Sequence, residues 1–353
     1  MIDLRSDTVT LPTEEMYEAM RRAELGDDGR EGDPTVRRLE QLAAEMTGKQ
    51  AALFVTSGTM ANLVALLTHG ERGGEVLLDA GAHILRSEMG GIAQLAGLFH
   101  RTIPGERGAP EVAALREMLS PKLAPNRLGT SLVCLETTHN SAGGAVMALP
   151  HVAALRNLTA EQGVPLHIDG ARLFNAAVAL GVRADAIAQH ADSVCFCVSK
   201  GLSAPFGSLL CGSAAFIERA RGFRRMVGGA MRQAGMMAAA GIIALQRMVA
   251  RLADDHRRAR MIAAGLQAID PHLVDIGRVE TNIVMVDLAH TRAAAAAWVS
   301  ALKTHGIDCA PASPTALRLV THRHIEDADV EQTIAAFGAV HAEFRPSLAR
   351  LAG

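Results

Sequence analysis

Lysine is scarce in this chain. Four of its 35 basic residues are lysines, namely Lys49, Lys122, Lys200 and Lys303, and arginine supplies the rest. A lysine kept where arginine otherwise carries the charge points to a need for an amine, because an amine forms a Schiff base and a guanidinium does not. An excess of one charge sign is also missing. The 37 acidic residues nearly balance the cations and leave a net charge of -2, too weak a field to grip nucleic acid or an anionic membrane surface. No apolar run reaches the roughly 20 residues that span a bilayer. The longest, residues 234–245, is rich in Ala and Gly and predicts a helix in a crowded core. Residues 1–7 show neither the basic nor the apolar region of an export signal. Cysteine is limited to Cys134, Cys195, Cys197, Cys211 and Cys309, mostly inside strand-like runs, which predicts reduced, buried thiols and a cytoplasmic protein. The spacings His-x-x-x-His and Cys-x-x-Cys are absent, so no metal is expected. A Walker loop and the fingerprint Gly-x-Gly-x-x-Gly are absent too, which speaks against a nicotinamide dehydrogenase. Small-molecule chemistry of another kind remains.

What is present is alternation. Apolar runs of strand length at residues 51–55, 75–78, 131–135, 164–168, 193–198 and 208–211 are separated by amphipathic stretches at 60–68, 110–119, 149–162 and 184–190. That pattern predicts an α/β domain with a mostly parallel sheet covered by helices on both faces. The large domain is expected to fill residues 1–250, with an N-terminal arm over 1–12. From Arg251 the character changes: a charged amphipathic stretch at 251–269 precedes strands near 282–287 and 317–321 and a helix over 291–305. A smaller α+β C-terminal domain, 251–353, is expected there. Asp254, Asp255 and His256 read as a solvated, charged helix face.

Three groups of residues carry chemistry. Thr56-Ser57-Gly58-Thr59-Met60 stands between a strand and a helix, where glycine admits a close ligand, hydroxyls donate, and the helix N-terminus favours an anion. Taken alone, Ser57 would be a simple N-cap. Asp169, in His167-Ile168-Asp169-Gly170-Ala171-Arg172, closes a predicted parallel strand where open α/β sheets bind ligands. A carboxylate buried there needs a cation or a donor, and Arg172 offers a planar fork suited to a carboxylate. Lys200 ends the apolar stretch 193–199 and is followed by Gly201, Leu202 and Ser203. Phosphate cradle, edge carboxylate and amine are the three groups that pyridoxal 5'-phosphate requires.

At this point the chain resembles the threonine aldolase family of fold-type I pyridoxal-phosphate enzymes, from Met1 to about Thr321. The strings that carry the likeness are Asp3-Leu-Arg-Ser-Asp-Thr-Val-Thr10, Gly26-Asp-Asp28, Asp33-Pro-Thr-Val36, Ser57-Gly-Thr-Met-Ala-Asn62, Ala82-His83, Thr138-His-Asn140, His167-Ile-Asp-Gly-Ala-Arg172, Ser199-Lys-Gly-Leu202, Met231-Arg-Gln233 and Arg318-Leu-Val-Thr-His322. The resemblance implies an aspartate aminotransferase-like architecture and a cytoplasmic homo-oligomer, at least a dimer and commonly a tetramer. It implies a covalent imine on Lys200, a contact from Asp169 to the pyridine nitrogen, and His83 stacked on the ring as a candidate base. Ser57, Gly58 and Thr59 would hold the phosphate, with Arg232 arriving from a neighbouring subunit. Ser6, Arg172 and Arg318 would grip the α-carboxylate of a small amino-acid substrate. That grip selects the bond to be broken by orientation, and the reaction implied is retro-aldol cleavage of an L-β-hydroxy-α-amino acid to glycine and an aldehyde. A β-eliminating lyase or an aminotransferase on the same fold is the nearest alternative.

Two positions depart from the family pattern. Arg30, in Asp27-Asp28-Gly29-Arg30-Glu31-Gly32, stands where an aromatic residue is usual, and Asn126 stands where many members carry a histidine near the substrate hydroxyl. Both are candidate specificity residues: Arg30 could favour an anionic side chain such as that of 3-hydroxyaspartate, or else contact the phosphate, Glu31 or solvent. A catalytically silent homologue retained for binding is the remaining alternative.

Overall fold

The computed structural model describes residues 1–120, 122–291 and 293–344. Its contacts form two units, Leu11–Ala250 on one side and Met1–Thr10 with the residues from Arg251 onward on the other. Among the described residues no single helix is long and apolar enough to cross a membrane.

The larger unit holds a seven-stranded sheet of β1 Ala51–Val55, β2 Glu75–Leu78, β3 Phe99–Thr102, β4 Thr130–Glu136, β5 Leu166–Asp169, β6 Ser193–Cys197 and β7 Ser208–Gly212. Their spatial order is β1-β7-β6-β5-β4-β2-β3. Only β7 runs antiparallel, to β1 on one side and β6 on the other. Strands β2, β5, β6 and β7 are buried along their whole length, as near-continuous apolar runs require when helices cover both faces. Strand β3 escapes sequence reading because Phe-His-Arg-Thr has no apolar run; it is the exposed edge, and its Arg101 pairs with Glu75 at 2.7 Å. All the parallel strands point their C-terminal ends to one edge, and the β6–β7 connection turns at that same edge, where it carries Lys200.

Local sequence explains the helices that frame this edge. Asp33 is buried and caps the helix Pro34–Thr47, taking Thr35 N at 2.9 Å and Val36 N at 3.0 Å on one oxygen. Its other oxygen accepts Gly26 N at 3.0 Å and Gly235 N at 2.9 Å, so one carboxylate ties three segments together. The apolar tract at 234–245 forms the helix Gly235–Ile243 with its alanines buried, as expected for a crowded core.

In the smaller unit the helices Leu252–Ile269, Ala295–Thr304 and Asp327–Phe344 accompany a three-stranded antiparallel sheet of β8 Ile283–Asp287, β9 Ala310–Ser313 and β10 Ala316–Val320, ordered β8-β10-β9. Trp298 and Phe337 centre its core. The sequence assigns the arm 1–12 to the large domain, whereas Met1–Thr10 groups with the smaller unit. The cause is strand pairing: Ile2 and Asp3 run parallel to Ile307 and Asp308, and Val320 N donates to Leu4 O at 2.8 Å. Of the charged face expected at 254–256, Asp254 is exposed and the other two residues are not solvated. Asp255 is fully buried and ion-paired to Arg251, its backbone carbonyl accepts the Thr321 hydroxyl at 2.6 Å, and His256 is buried as well.

Candidate active site

Register brings the site together. Asp169, the last residue of β5, lies opposite Glu136 at the end of β4 and Cys195 in β6. Ser208 lies opposite both Val55 and Cys197, so the Ser57 turn after β1 and the Lys200 turn after β6 leave the sheet side by side. His83 follows β2 at the same edge. A methyl group on Gly170 would meet Cys195 O at 2.7 Å, and one on Gly58 would meet Cys197 Sγ at 3.0 Å. Both turns therefore press against β6: the backbone carbonyl excludes a side chain at Gly170, and the Cys197 thiol would have to give way at Gly58.

Ser57 does act as an N-cap: its Oγ accepts Met60 N at 3.2 Å at the head of the helix Gly58–His69. The first amides of that 12-residue helix, those of Gly58 and Thr59, have no acceptor within the helix and make an anion-binding end. His83 is anchored by its backbone N, which donates to Glu136 Oε2 at 2.6 Å, and by Nδ1, 2.9 Å from Glu88 Oε1. The Glu88 contact raises the His83 pKa against burial, Asp169 raises it further, and the Lys200 charge lowers it. His83 thus feels both the edge carboxylate and the amine. Asp169 is buried, with Oδ2 accepting Asn62 Nδ2 at 2.9 Å and Oδ1 accepting Ala171 N at 3.1 Å. Burial pushes the Glu88 and Glu136 carboxyls up, and Asp169 adds to both shifts. His139, buried, meets Asp79 at 3.0 Å and organises the ends of β4 and β2.

Arg172 is buried, immediately after the Asp169–Ala171 turn, and donates to Asn140 Oδ1 at 3.3 Å. Ser6 and Arg318 belong to the smaller unit, where they are neighbours: Arg318 Nη2 donates to Arg5 O at 3.4 Å. Ser6 Oγ accepts Thr8 N at 3.2 Å and the Thr8 hydroxyl at 2.9 Å. Arg232 is exposed, 3.7 Å from Asp27, and its carbonyl accepts Asp28 N at 3.1 Å. Arg30 projects from the same loop with its side chain 80% exposed, 3.7 Å from Asp27, and faces Asp27 rather than Glu31. Asn126 is not brought to the cluster. It sits at φ 65° in an exposed tight turn before the first residue of β4. The seven-residue strand puts it at the opposite sheet edge, about 20 Å away.

Four residues of the site carry no assignment from sequence alone: Asn62, Glu88, Glu136 and His167. Cys195, expected as simple packing, also takes part, its Sγ lying 3.2 Å from Asn62 Oδ1. The donor set fits pyridoxal phosphate: an amine, a helix N-terminus and a buried carboxylate at one edge. Two buried hydroxyls beside these turns, Ser203 Oγ three residues after Lys200 and Ser208 Oγ beside Gly58, have no hydrogen-bond partner among the described residues.

The model of the beta-eliminating lyase family matches residues 3–291. A probable low-specificity L-threonine aldolase 2 from Arabidopsis thaliana is 44% identical over 340 residues, covering 95% of this chain and 96% of the relative. The low specificity L-threonine aldolase of Escherichia coli K12 is 41% identical over 353 residues, 99% and 100% of the two chains. Among solved structures, a threonine aldolase of Leishmania major superposes with a TM-score of 0.82 at 19% identity, covering 96% of this chain and 99% of the other. Serine palmitoyltransferase from Sphingomonas wittichii superposes at 0.77 with 18% identity, covering 97% and 88%. At such identities the superpositions speak for the fold, and they bear out the fold-type I α/β architecture expected from the sequence.

Proposed function

The chain belongs to the beta-eliminating lyase family, and from that premise we propose that it is a pyridoxal-phosphate-dependent lyase, an aldolase that cleaves L-β-hydroxy-α-amino acids of the threonine type to glycine and an aldehyde. Bound pyridoxal phosphate supplies a ring that draws electrons from the substrate Cα. The remaining work falls to side chains of this protein. The Lys200 amine would hold the cofactor through its aldehyde, Asp169 would accept from the ring nitrogen, and the Ser57–Gly58–Thr59 helix end would take the phosphate. With Nδ1 donating to Glu88, His83 keeps Nε2 as an acceptor; its ring would stack on the cofactor and Nε2 would take the proton of the β-hydroxyl. Arg172, Arg318 and Ser6 bind the α-carboxylate and so decide which Cα bond is presented for cleavage; for Ser6 and Arg318 this rests on the resemblance of their sequence strings. We also assign the protein to a cytoplasmic homo-oligomer of two or four subunits, with Arg232 of one subunit completing the phosphate site of another. Five free, buried thiols and exposed Tyr17, Leu25, Met226 and Met236 support that reading.

The observation that carries the proposal is the single sheet edge to which strand register brings Asp169, the Lys200 turn, the Ser57 turn and His83. Incubating the protein with threonine tests it. Acetaldehyde and glycine are expected, whereas ammonia and 2-oxobutanoate would make it a β-eliminating enzyme. The site gives no reason to prefer 3-hydroxyaspartate, because Arg30 faces Asp27 and solvent.

A further inference from the structure

Asn62 stands one turn into the helix Gly58–His69 and is buried. Its Nδ2 lies 2.8 Å from Glu88 Oε1 and 2.9 Å from Asp169 Oδ2. Two carboxylate oxygens can accept only from the nitrogen end, so the amide orientation is fixed by its neighbours. The carboxamide oxygen then faces His167 Nε2 at 3.1 Å and Cys195 Sγ at 3.2 Å, and both must donate to it. With its proton on Nε2, His167 accepts at Nδ1 from the Ser193 hydroxyl, 2.8 Å away. Ser193 Oγ in turn accepts from His69 Nε2 at 2.8 Å. His69 lines a surface cleft with Asp192, Phe216 and Arg219 and ends the same helix that carries Asn62. Every proton in this row points the same way, from His69 to the two carboxylates. Burial supports the assignment by lowering His69 to about 3 and His167 to about 4, which keeps both rings neutral near pH 7.

We infer that Asn62 is a positioning residue whose one amide nitrogen holds the two carboxylates of the cofactor site apart and in place: Asp169, which meets the ring nitrogen, and Glu88, which fixes the His83 tautomer. Without the amide, two buried carboxylates would face one another with no donor between them, and such pairs take up a proton rather than both remain ionised. Glu88, already pushed up by burial and by Asp169, would take that proton and cease to accept from His83, and Asp169 would lose the donor that aligns it with the ring nitrogen. Asn62 therefore acts through Asp169 and Glu88, the two residues its amide nitrogen contacts. This inference rests on the cofactor roles proposed above for Asp169 and His83.

The test measures pyridoxal phosphate binding by absorbance titration of the cofactor-free full-length protein, after wild type has been shown to bind it and to cleave threonine. Asn62→Asp replaces the donor by a third acceptor at nearly constant shape, and cofactor affinity is expected to fall at least about tenfold. Asn62→Ser keeps a single donor and is expected to lie between the two; it also serves if Asn62→Asp does not fold. Adding Glu88→Gln removes one negative charge. It is expected to recover part of the lost affinity in the Asn62→Asp background and none in wild type, a coupling that general damage to the fold would not produce. Wild-type affinity in both Asn62 variants, or no recovery on adding Glu88→Gln, would overturn the inference and leave the proposed function standing. A wild-type protein that binds no cofactor would overturn both.

Discussion

Arg224 and Asp28 meet at 2.7 Å with side chains 3% and 5% exposed, joining the helix Ala214–Met226 to the loop that carries Arg30. Arg224 Nη1 also donates to Phe54 O at 2.9 Å, so a single guanidinium fastens the Asp27–Gly32 loop to the strand that leads into the Ser57 turn. Removing one partner leaves a buried charge uncompensated. Arg224→Ala should therefore destabilise the protein by about 3–5 kcal/mol and weaken cofactor binding. Denaturant unfolding checks the first effect and absorbance titration the second; a loss below about 1 kcal/mol, the range of exposed pairs, would contradict the anchoring role.

The Glu88 contact makes His83 sensitive to pH. His83 is raised above its ordinary value of 6.5, chiefly by Glu88. A histidine raised in this way binds its proton more tightly in the folded state, so the contact stabilises the protein below about pH 6.5, and that contribution disappears as the pH climbs through the folded value. Activity runs in the opposite sense, because the base must be neutral. The acid limb of kcat/KM should lie above pH 6.5 in wild type and move to lower pH in Glu88→Gln. A limb that stays in place would remove His83 as the base.

Arg318 should act on substrate and leave the cofactor alone. Lysine keeps the charge and loses the planar fork that pairs with a carboxylate. Arg318→Lys is expected to raise KM for threonine about tenfold or more, with the pyridoxal phosphate affinity unchanged. Steady-state kinetics and a cofactor titration on one preparation check both halves; a change in cofactor affinity alone would contradict the assignment.

Arg30 is the counter-example. An 80% exposed side chain 3.7 Å from Asp27 has little with which to discriminate substrates. The ratio of kcat/KM for 3-hydroxyaspartate over threonine should stay within about twofold in Arg30→Ala. A collapse of that ratio would reinstate Arg30 as a specificity residue.

Sequence reading reached the residues that close an apolar strand and missed those defined by pairing. Lys200 and Ser57 each follow a buried run and Asp169 ends one, so the sheet alone sets all three at the same edge. Asn62 and Asp169 are 107 positions apart, and Asn62 and Glu88 26 apart; their meeting depends on strand order and helix phase, which no spacing records. The same holds for Asp270, whose Oδ2 takes His290 Nε2 at 3.1 Å and His341 Nε2 at 3.0 Å although the three share no sequence motif. Asn126 belongs to a turn that precedes its strand instead of following it, so the strand carries it away from the cluster. Asp255 sits in a run of charged residues and is nonetheless buried, because Arg251 one helical turn earlier compensates it.

Reduction of the cofactor-loaded protein with borohydride, followed by proteolysis and mass mapping of the pyridoxyl label, tests the central claim most directly. The account predicts one labelled residue per chain, Lys200, and no label in Lys200→Ala. Label on Lys49, Lys122 or Lys303 instead, or none on any lysine, would contradict it.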